Sequence, residues 1–193
     1  MIRKLLNFSF RVLIRMAYGK ARIFLLRQMG VKIGENCLVF YADFSTEPYL
    51  IELGDHVTVS SGVRFITHDG AVWLFRQEFP DLDIFGPIRI GNNSCIGMNS
   101  ILLPNTQIGQ NCIVAAGAVV KGRFPDNSLI IGNPAKRVLD TRMQKRLYMM
   151  SSSKFNMKRL SNRKKRKVLL DRFFKEKKSS LESAKAISQT EIN

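Results

Sequence analysis

The chain contains two histidines, and the surroundings of one of them, His68, suggest proton transfer. A histidine side chain exchanges a proton near neutral pH, so it can act as a general base on a hydroxyl group. His68 stands where a regular repeat gives way to residues 67–87, which fit neither that repeat nor an amphipathic helix. An irregular stretch of this length inside a compact repeat is usually functional. His56 lies within the corner-like tripeptide 54–56, and we expect it to be a solvated turn residue.

Other kinds of chemistry lack the residues that they need. Asp69 follows His68, but adjacent residues of an extended strand point to opposite faces, which makes Asp69 a poor partner for the imidazole. Apart from Asp69, no His, Cys or carboxylate stands at metal-ligand spacing to His68, so no metal is expected. The sequence has no phosphate-binding loop, dinucleotide fingerprint or nucleophile elbow. The cysteines form no close pair and are predicted to be small buried residues in a reducing compartment: Cys37, Cys95 and Cys112.

The elements that must position His68 follow from an aliphatic residue at every sixth position. These residues are Ile90, Ile96, Leu102, Ile108, Val114 and Val120. Small residues stand four positions further on, at Ser94, Ser100, Thr106, Cys112 and Ala118. A period of six fits neither an α-helix nor an isolated strand, and it is typical of a parallel β-helix. The aliphatic side chains are predicted to point inward and the small ones to lie near corners, where Gly91, Gly97 and Gly109 suit close backbone approach or positive φ.

The hexad register is interrupted once before the long irregular stretch. It slips by two residues between Val39 and Leu53, which predicts a bulge or irregular corner around residues 45–49. The regular pattern resumes at Leu53 and continues through Val59 and Phe65.

These patterns divide the chain into four segments. Residues 1–30 predict an N-terminal amphipathic helical segment, ended by a glycine. Residues 31–138 predict the all-β core, a β-helix with a protruding loop at 68–87. Residues 139–178 predict a basic helical extension with apolar stripes, and the Ser-rich residues 179–193 predict a disordered tail.

The positive charge is concentrated at both ends of the chain. The formal net charge is +16, and residues 136–178 hold 17 Lys and Arg against three acidic residues, while the first 34 residues hold eight and none. Such a balance implies anionic partners. Alternating basic and apolar residues favour an anionic membrane surface over a merely solvated face, and no recognition motif supports nucleic acid. No apolar run reaches the 18 residues of a membrane-spanning helix.

Three motifs, together with the hexads, resemble the hexapeptide-repeat acyltransferases. They are Thr67-His68-Asp69 before the loop, the segment at 87–93, and the exit Gly132-Asn133-Pro134-Ala135-Lys136. The most similar branch holds the maltose, galactoside, nodulation-factor and polysaccharide O-acetyltransferases. The resemblance covers about residues 31–138 and is specific for fold and acyl-CoA chemistry, but weak for the acceptor.

The resemblance implies a left-handed β-helix, a homotrimer with sites between neighbouring subunits, acetyl-CoA as donor, and His68 as the catalytic base. The galactoside enzymes carry the motif F-Y-A-N-F in the acceptor site, and this chain has Asp43 in place of the Asn. Asp43 is therefore expected to bind a sugar hydroxyl or to orient the imidazole. Trp73 in the loop is expected to form a lid or a sugar-stacking surface, with a contact between subunits as the alternative.

The resemblance also places the acetyl-CoA site along the C-terminal coils, at Met98, Ala116, Lys121 and Lys136. The family often has Ser at the position of Met98, and Thr-Lys where this chain has Lys121-Gly122. Lys136 matches a basic position that meets the 3′-phosphate or the pyrophosphate of the donor. For both lysines, a solvated surface residue is the alternative interpretation.

The sequence thus predicts an acetyl-CoA-dependent O-acetyltransferase that acts on a sugar hydroxyl in cell-surface polysaccharide biosynthesis (capsule or O-antigen). Transfer to an amino-sugar nitrogen or to an antibiotic is the alternative within the same chemistry. A non-catalytic β-helix scaffold is the alternative from another class. The expected location is the cytoplasm, peripheral to the inner face of the membrane through the basic ends.

Overall fold

The computed structural model describes Ile14 and residues 16–175 of the 193-residue chain. Residues 1–13 and 15 of the predicted N-terminal amphipathic segment, and the whole predicted disordered tail at 179–193, lie outside the described residues. The chain divides into two compact units, one ending at Tyr148 and the other beginning at Met149. No helix in the described ranges is long and apolar enough to span a bilayer.

The first unit is built from parallel strands that wind around a common axis, as the hexads predict. Three sheets form its faces: sheet A joins β1, β3, β6, β9 and β12; sheet B joins β2, β4, β7, β10, β13 and β14; and sheet C joins β5, β8 and β11. Equivalent positions of successive coils pair in parallel, so that Ile96 lies opposite Val114 and Leu102 opposite Val120. The strands are β1 (Lys32–Ile33), β2 (Leu38–Val39), β3 (Ile51–Leu53), β4 (Thr58–Val59), β5 (Arg64–Phe65), β6 (Ile88–Ile90), β7 (Cys95–Ile96), β8 (Ile101–Leu102), β9 (Gln107–Ile108), β10 (Ile113–Val114), β11 (Val119–Val120), β12 (Arg123–Phe124), β13 (Ser128–Gly132) and β14 (Ala135–Asp140).

The interior of the coils has the composition that the period of six predicts. All six aliphatic residues of the central hexads are at most 4% exposed, and the five small residues at most 2%. The polar members of the small set bond to the main chain at the corners. Ser94 donates to the carbonyl of Gly109 (3.1 Å) and accepts from the amide of Cys112 (3.0 Å). Hydroxyls can therefore be buried here without losing their hydrogen bonds.

The corners use glycine and asparagine for different purposes. At Gly97 a Cβ would come within 2.5 Å of the amide nitrogen of Ala116, so only glycine allows these two coils to stack. The left-handed backbone positions of the same coils are instead taken by Asn93, Asn99, Asn105 and Asn111, with φ between 55° and 66°. Asparagine tolerates this region better than other side chains do. Close approach, rather than positive φ, is therefore the role of Gly91, Gly97 and Gly109, whereas Gly117 takes a left-handed position with φ of 71°.

We expect Ile96→Val to lower the free energy of unfolding by about 0.5–1.5 kcal/mol, because one buried methylene is lost from a closed interior. Ile96 is fully buried between two coils. Ile131→Val is the matched control, since Ile131 is 42% exposed and its methylene remains hydrated. Urea titration at one fixed protein concentration measures both. Equal effects of the two changes would contradict the packed interior.

A short helix closes the N-terminal end of the β-helix. Helix α1 (Lys20–Gln28) packs the buried Leu26 against the first coil and is followed by Met29 and by Gly30 with φ of 96°. Arg27, in its last turn, donates to the carbonyls of Ile33 (2.7 Å) and Gly34 (2.9 Å). Helix α1 thus ends two residues before Gly30, the glycine at which the predicted helical segment ends.

The C-terminal end of the β-helix differs from the prediction. Strand β14 runs antiparallel to β13 and extends to Asp140, so the predicted start of the helical extension at residue 139 is wrong. The chain reverses after Gly132, whose φ of 106° suits a tight turn, and the hairpin continues the edge of sheet B. Helices follow at α2 (Thr141–Met150) and α3 (Asn162–Leu170), with a π-helical turn at Asp171–Lys175. Residues 151–161 are not helical.

Candidate active site

His68 lies at the neck of the protruding loop, where the main chain holds it from both sides. It forms a single antiparallel bridge with Phe85. Next to this bridge the amide of Asp69 donates to the carbonyl of Ile84 (2.9 Å), and the amide of Gly86 donates to the carbonyl of Thr67 (2.8 Å). The ring of Phe85 meets the imidazole edge-on, with 6.4 Å between ring centroids. The loop therefore leaves and rejoins the coil at the histidine itself.

The imidazole is paired with a carboxylate that comes from the irregular corner of the preceding coil. Oε2 of Glu47 lies 3.0 Å from Nδ1 of His68. Glu47 immediately precedes a 3₁₀ turn (Pro48–Leu50), and its side chain is 16% exposed against 43% for His68. The fully buried Thr67 donates its hydroxyl to the same carboxylate oxygen (2.8 Å). The hydroxyl of Thr46 lies 3.3 Å from the same nitrogen, Nδ1.

These contacts fix the charge of Glu47 and the tautomer of the histidine. Burial by itself would raise the pKa of the Glu47 carboxyl, but hydrogen bonds from Thr46, Thr67 and His68 outweigh it and hold that pKa below its usual value. The charged carboxylate only accepts hydrogen bonds, so Nδ1 of His68 carries the proton of the neutral imidazole. Nε2 is then the basic nitrogen, and it makes no hydrogen bond to any residue that the structure describes.

Two surface grooves meet at His68, and they contain the two residues predicted to contact the acceptor. Asp43 lines the first groove, together with Arg64 and Asn99. Trp73, which is 80% exposed, lines the second groove inside the loop. The loop begins with a 3₁₀ helix (Gly70–Phe75) that Asp69 caps by accepting from the amide of Ala71.

The carboxylate that orients the imidazole of His68 is not that of Asp43, which the sequence offers for this role. Asp43 accepts from the amide of Ser45 (3.1 Å), and its backbone bridges to Arg64. The carboxylate bonded to the imidazole is Glu47. Asp43 thus shares the groove with His68 but does not hold its ring.

The residues predicted to bind acetyl-CoA lie on later coils than His68. Met98 and Ala116 stack at the same corner, where the amide of Gly117 donates to the carbonyl of Met98 (2.8 Å). Lys121 is exposed at the corner between β11 and β12, and Lys136 is exposed on β14 opposite Ile131. Neither ammonium group has a hydrogen-bond or ion-pair partner among residues 16–175. The structure therefore brings Met98 and Ala116 together and leaves both lysines available to a ligand.

The remaining candidate residues have structural roles. His56 occupies a left-handed corner position and lies 2.7 Å from the side-chain oxygen of Asn93, which agrees with the turn interpretation. Cys37 and Cys112 are buried, and burial raises the pKa of both thiols, whereas Cys95 is exposed and departs from the prediction. Within the described part of the chain, no group of three or more His, Cys, Asp or Glu side chains is arranged to hold a metal ion.

Glu47 and Thr67 are the site residues that sequence reasoning missed. The available signal was the register slip, because it marks the irregular corner that carries Glu47. The contact itself joins residues 21 positions apart.

The fold and the site define a hexapeptide-repeat β-helix protein with a histidine–carboxylate pair facing surface grooves. The sequence model of bacterial transferase hexapeptide proteins (six repeats) matches residues 87–122. Protein CapG of Staphylococcus aureus is 46% identical over 116 residues, which cover 58% of this chain and 67% of CapG. The chain belongs to the hexapeptide-repeat acyltransferase family, as its motifs predict.

More distant relatives agree with this assignment. The galactoside O-acetyltransferase of Escherichia coli is 30% identical over 110 residues, which cover 55% of this chain and about half (52%) of that enzyme. A solved galactoside acetyltransferase in complex with coenzyme A superposes with a TM-score of 0.61 at 20% identity, over 79% of this chain and 87% of that one. This likeness confirms the predicted fold class, a left-handed parallel β-helix with an all-β core.

Proposed function

We propose that this chain is an acetyl-CoA-dependent O-acetyltransferase that acetylates a sugar hydroxyl, with His68 as general base. The observation that carries the proposal is the contact between Nδ1 of His68 and the charged Glu47, which leaves Nε2 basic and without a partner among the described residues. Two comparisons support the donor and acceptor classes: a relative named galactoside O-acetyltransferase and a solved structure that holds coenzyme A.

In this mechanism His68 moves one proton. Nε2 accepts the proton of the acceptor hydroxyl as the oxygen attacks the thioester carbonyl of acetyl-CoA. Glu47 is a positioning residue, because it keeps the Nδ1 proton in place and stabilises the imidazolium that forms. When the tetrahedral intermediate collapses, the C–S bond breaks, the new ester remains on the sugar, and the proton passes to the leaving thiolate. No covalent enzyme intermediate is required.

The proposed site is completed by a neighbouring subunit in a homotrimer. His68 closes the second coil, whereas Met98, Ala116, Lys121 and Lys136 lie on the third coil and beyond. The outward row of sheet A is polar and charged: Lys32, Glu52, Arg89, Gln107 and Arg123. The outward row of sheet C holds Ile101 and Val119 beside Arg64, and these two aliphatic side chains suit a contact between copies. Sedimentation equilibrium tests the trimer against the 22.0 kDa mass of one chain.

The experiment that tests the activity is a screen of acetyl-CoA turnover over nucleotide sugars, oligosaccharides and lipid-linked glycans, with released thiol as readout. Turnover that needs a sugar hydroxyl supports the proposal. Faster turnover of amino sugars or antibiotics with free amines would support the N-acetylation alternative. If calorimetry detects no binding of acetyl-CoA, the non-catalytic scaffold is the better description.

The biological setting is also part of the proposal. The resemblance to polysaccharide O-acetyltransferases favours an acceptor used in cell-surface polysaccharide synthesis. Acetyl-CoA is a cytoplasmic donor, so we place the reaction in the cytoplasm. In the first groove, Asp43 would accept hydrogen bonds from the sugar, and in the second groove Trp73 would stack on it.

We expect Lys121→Gln and Lys136→Gln each to weaken acetyl-CoA binding about fivefold, because an exposed ammonium contributes about 1 kcal/mol to a phosphate contact. The loss should shrink as salt is added, since salt screens exposed charges. Calorimetry measures the affinity, and Lys32→Gln on sheet A is the matched control. If Lys136 meets the 3′-phosphate, its substitution will not weaken the binding of 3′-dephospho-CoA. Unchanged affinity in both variants would contradict these assignments.

A further inference from the structure

The second unit of the chain carries a basic face that the proposed acetyl transfer does not use. Residues 154–175 contain ten Lys and Arg and a single acidic residue, Asp171. Five of the cations are consecutive at the start of α3, and all five side chains are exposed: Arg163, Lys164, Lys165, Arg166 and Lys167.

The unit has its own packing, which determines which apolar side chains remain outside. The rings of Phe155 and Phe173 meet edge-on at 5.7 Å, and Met157 is buried. Ser161 caps the helix by accepting from the amide of Lys164. The basic side chains of α3 therefore project from a capped helix within a packed unit.

Four large apolar side chains of residues 163–174 are at least 41% exposed, and two of them lie in a groove with the cations. Leu170 is 43% exposed and Phe174 is 67% exposed, and both line one open groove of the helix. Arg163, Arg166 and Lys167 line the same groove, with Asp171 at its side. We call the five residues Arg163, Arg166, Lys167, Leu170 and Phe174 the basic–apolar face.

We infer that the basic–apolar face docks on an anionic phospholipid surface. Cations attract the phosphates of the headgroups, and an adjacent aromatic and aliphatic side chain enter the boundary between headgroups and acyl chains. The composition favours lipid over nucleic acid. Leu170 and Phe174 lie among the cations, where apolar side chains can insert into a bilayer but cannot hydrogen-bond to the edges of bases. The groove is open to solvent, so a membrane surface can reach the side chains that line it.

The test is flotation of the full chain with vesicles of phosphatidylcholine alone and with vesicles that contain one quarter phosphatidylglycerol. We expect recovery with the anionic vesicles only. The triple variant Arg163→Gln, Arg166→Gln, Lys167→Gln should reduce the partition coefficient by about 100-fold, since each cation near such a surface adds roughly a factor of five. The control triple variant Lys32→Gln, Arg89→Gln, Arg123→Gln removes the same charge from sheet A and should leave most of the binding intact.

Insertion is tested separately from charge. Phe174→Trp in a Trp73→Phe background places the single tryptophan on the basic–apolar face. Its emission should shift to the blue with anionic vesicles and not with phosphatidylcholine. Equal losses in the two triple variants would show a general charge effect and would overturn the inference. Tight binding of a random RNA with no flotation would assign the face to nucleic acid and would overturn it as well. Neither result bears on acetyl transfer to nucleotide sugars and oligosaccharides, which are the water-soluble acceptors of the screen.

Discussion

His68→Ala is expected to reduce kcat/KM for acetyl transfer to a sugar by about 10²–10⁴-fold, which is the usual contribution of a general base. His68 is the histidine that lines both grooves, and its contact with Glu47 leaves Nε2 free to accept a proton. No other residue that lines these grooves offers such a nitrogen. Calorimetric binding of acetyl-CoA should change little, because the histidine acts on the acceptor. Initial rates of thiol release measure the effect.

His56→Ala is the matched control for this change. It removes the other histidine, which lies twelve residues before His68 and contacts Asn93 at a corner of the β-helix. It should leave kcat/KM within about twofold of the unmodified chain, because it touches neither groove. A folded, correctly assembled His68→Ala protein that keeps near-normal transfer would rule out His68 as the base.

The architecture could be predicted because each hexad encodes its own geometry. An aliphatic residue such as Leu102 and a small one such as Thr106 each satisfy a local requirement, one for filling the interior and one for fitting a corner. The requirement repeats every 18 residues along the stack, so neighbouring coils agree on the same register. The predicted secondary structure is wrong where the repeat stops. The hairpin at 128–140 pairs antiparallel, and a pattern of helical stripes cannot distinguish its last strand residues from a helix start.

The site could be predicted only in part, for a similar reason. His68 stands out because a lone imidazole at the end of a regular repeat has few structural uses. The likeness to the motif F-Y-A-N-F predicts that Asp43 binds a sugar hydroxyl or orients the imidazole, yet its carboxylate accepts from the amide of Ser45. Glu47 becomes visible only when the coil closes and brings it next to His68 and Thr67. Contacts of this kind depend on how an irregular corner folds, and no local period specifies that.

The pKa of Glu47 has a consequence for stability at low pH. The folded state holds this pKa below its ordinary value, so the charged carboxylate favours folding. That contribution is present at pH values above the pKa of the unfolded chain, and it is lost as the pH falls through the lowered pKa of the folded state. A variant without this carboxylate should therefore approach the stability of the unmodified chain in acid, while it is less stable near neutrality.

Glu47→Gln tests the effect of this carboxylate on both stability and catalysis. We expect its kcat to fall by about 10²–10³-fold. The amide is neutral and can present its N–H to Nδ1, which would move the imidazole proton to Nε2 and remove the basic nitrogen from the groove. KM for acetyl-CoA should stay unchanged, because Glu47 contacts the imidazole and Thr67 rather than the predicted donor residues.

The control is Glu52→Gln, which removes an exposed carboxylate paired with Arg89 on sheet A and should leave kcat unchanged. A purely structural role for Glu47 predicts a different result, in which stability falls at neutral pH while kcat per folded chain is preserved. Initial rates with each protein, together with urea titrations at neutral and acid pH, separate these outcomes. Loss of a group that fixes the imidazole tautomer lowers kcat, whereas loss of a packing residue does not. The ratio of the kcat of Glu47→Gln to that of Glu52→Gln therefore decides whether the charge of Glu47 belongs to the catalytic step.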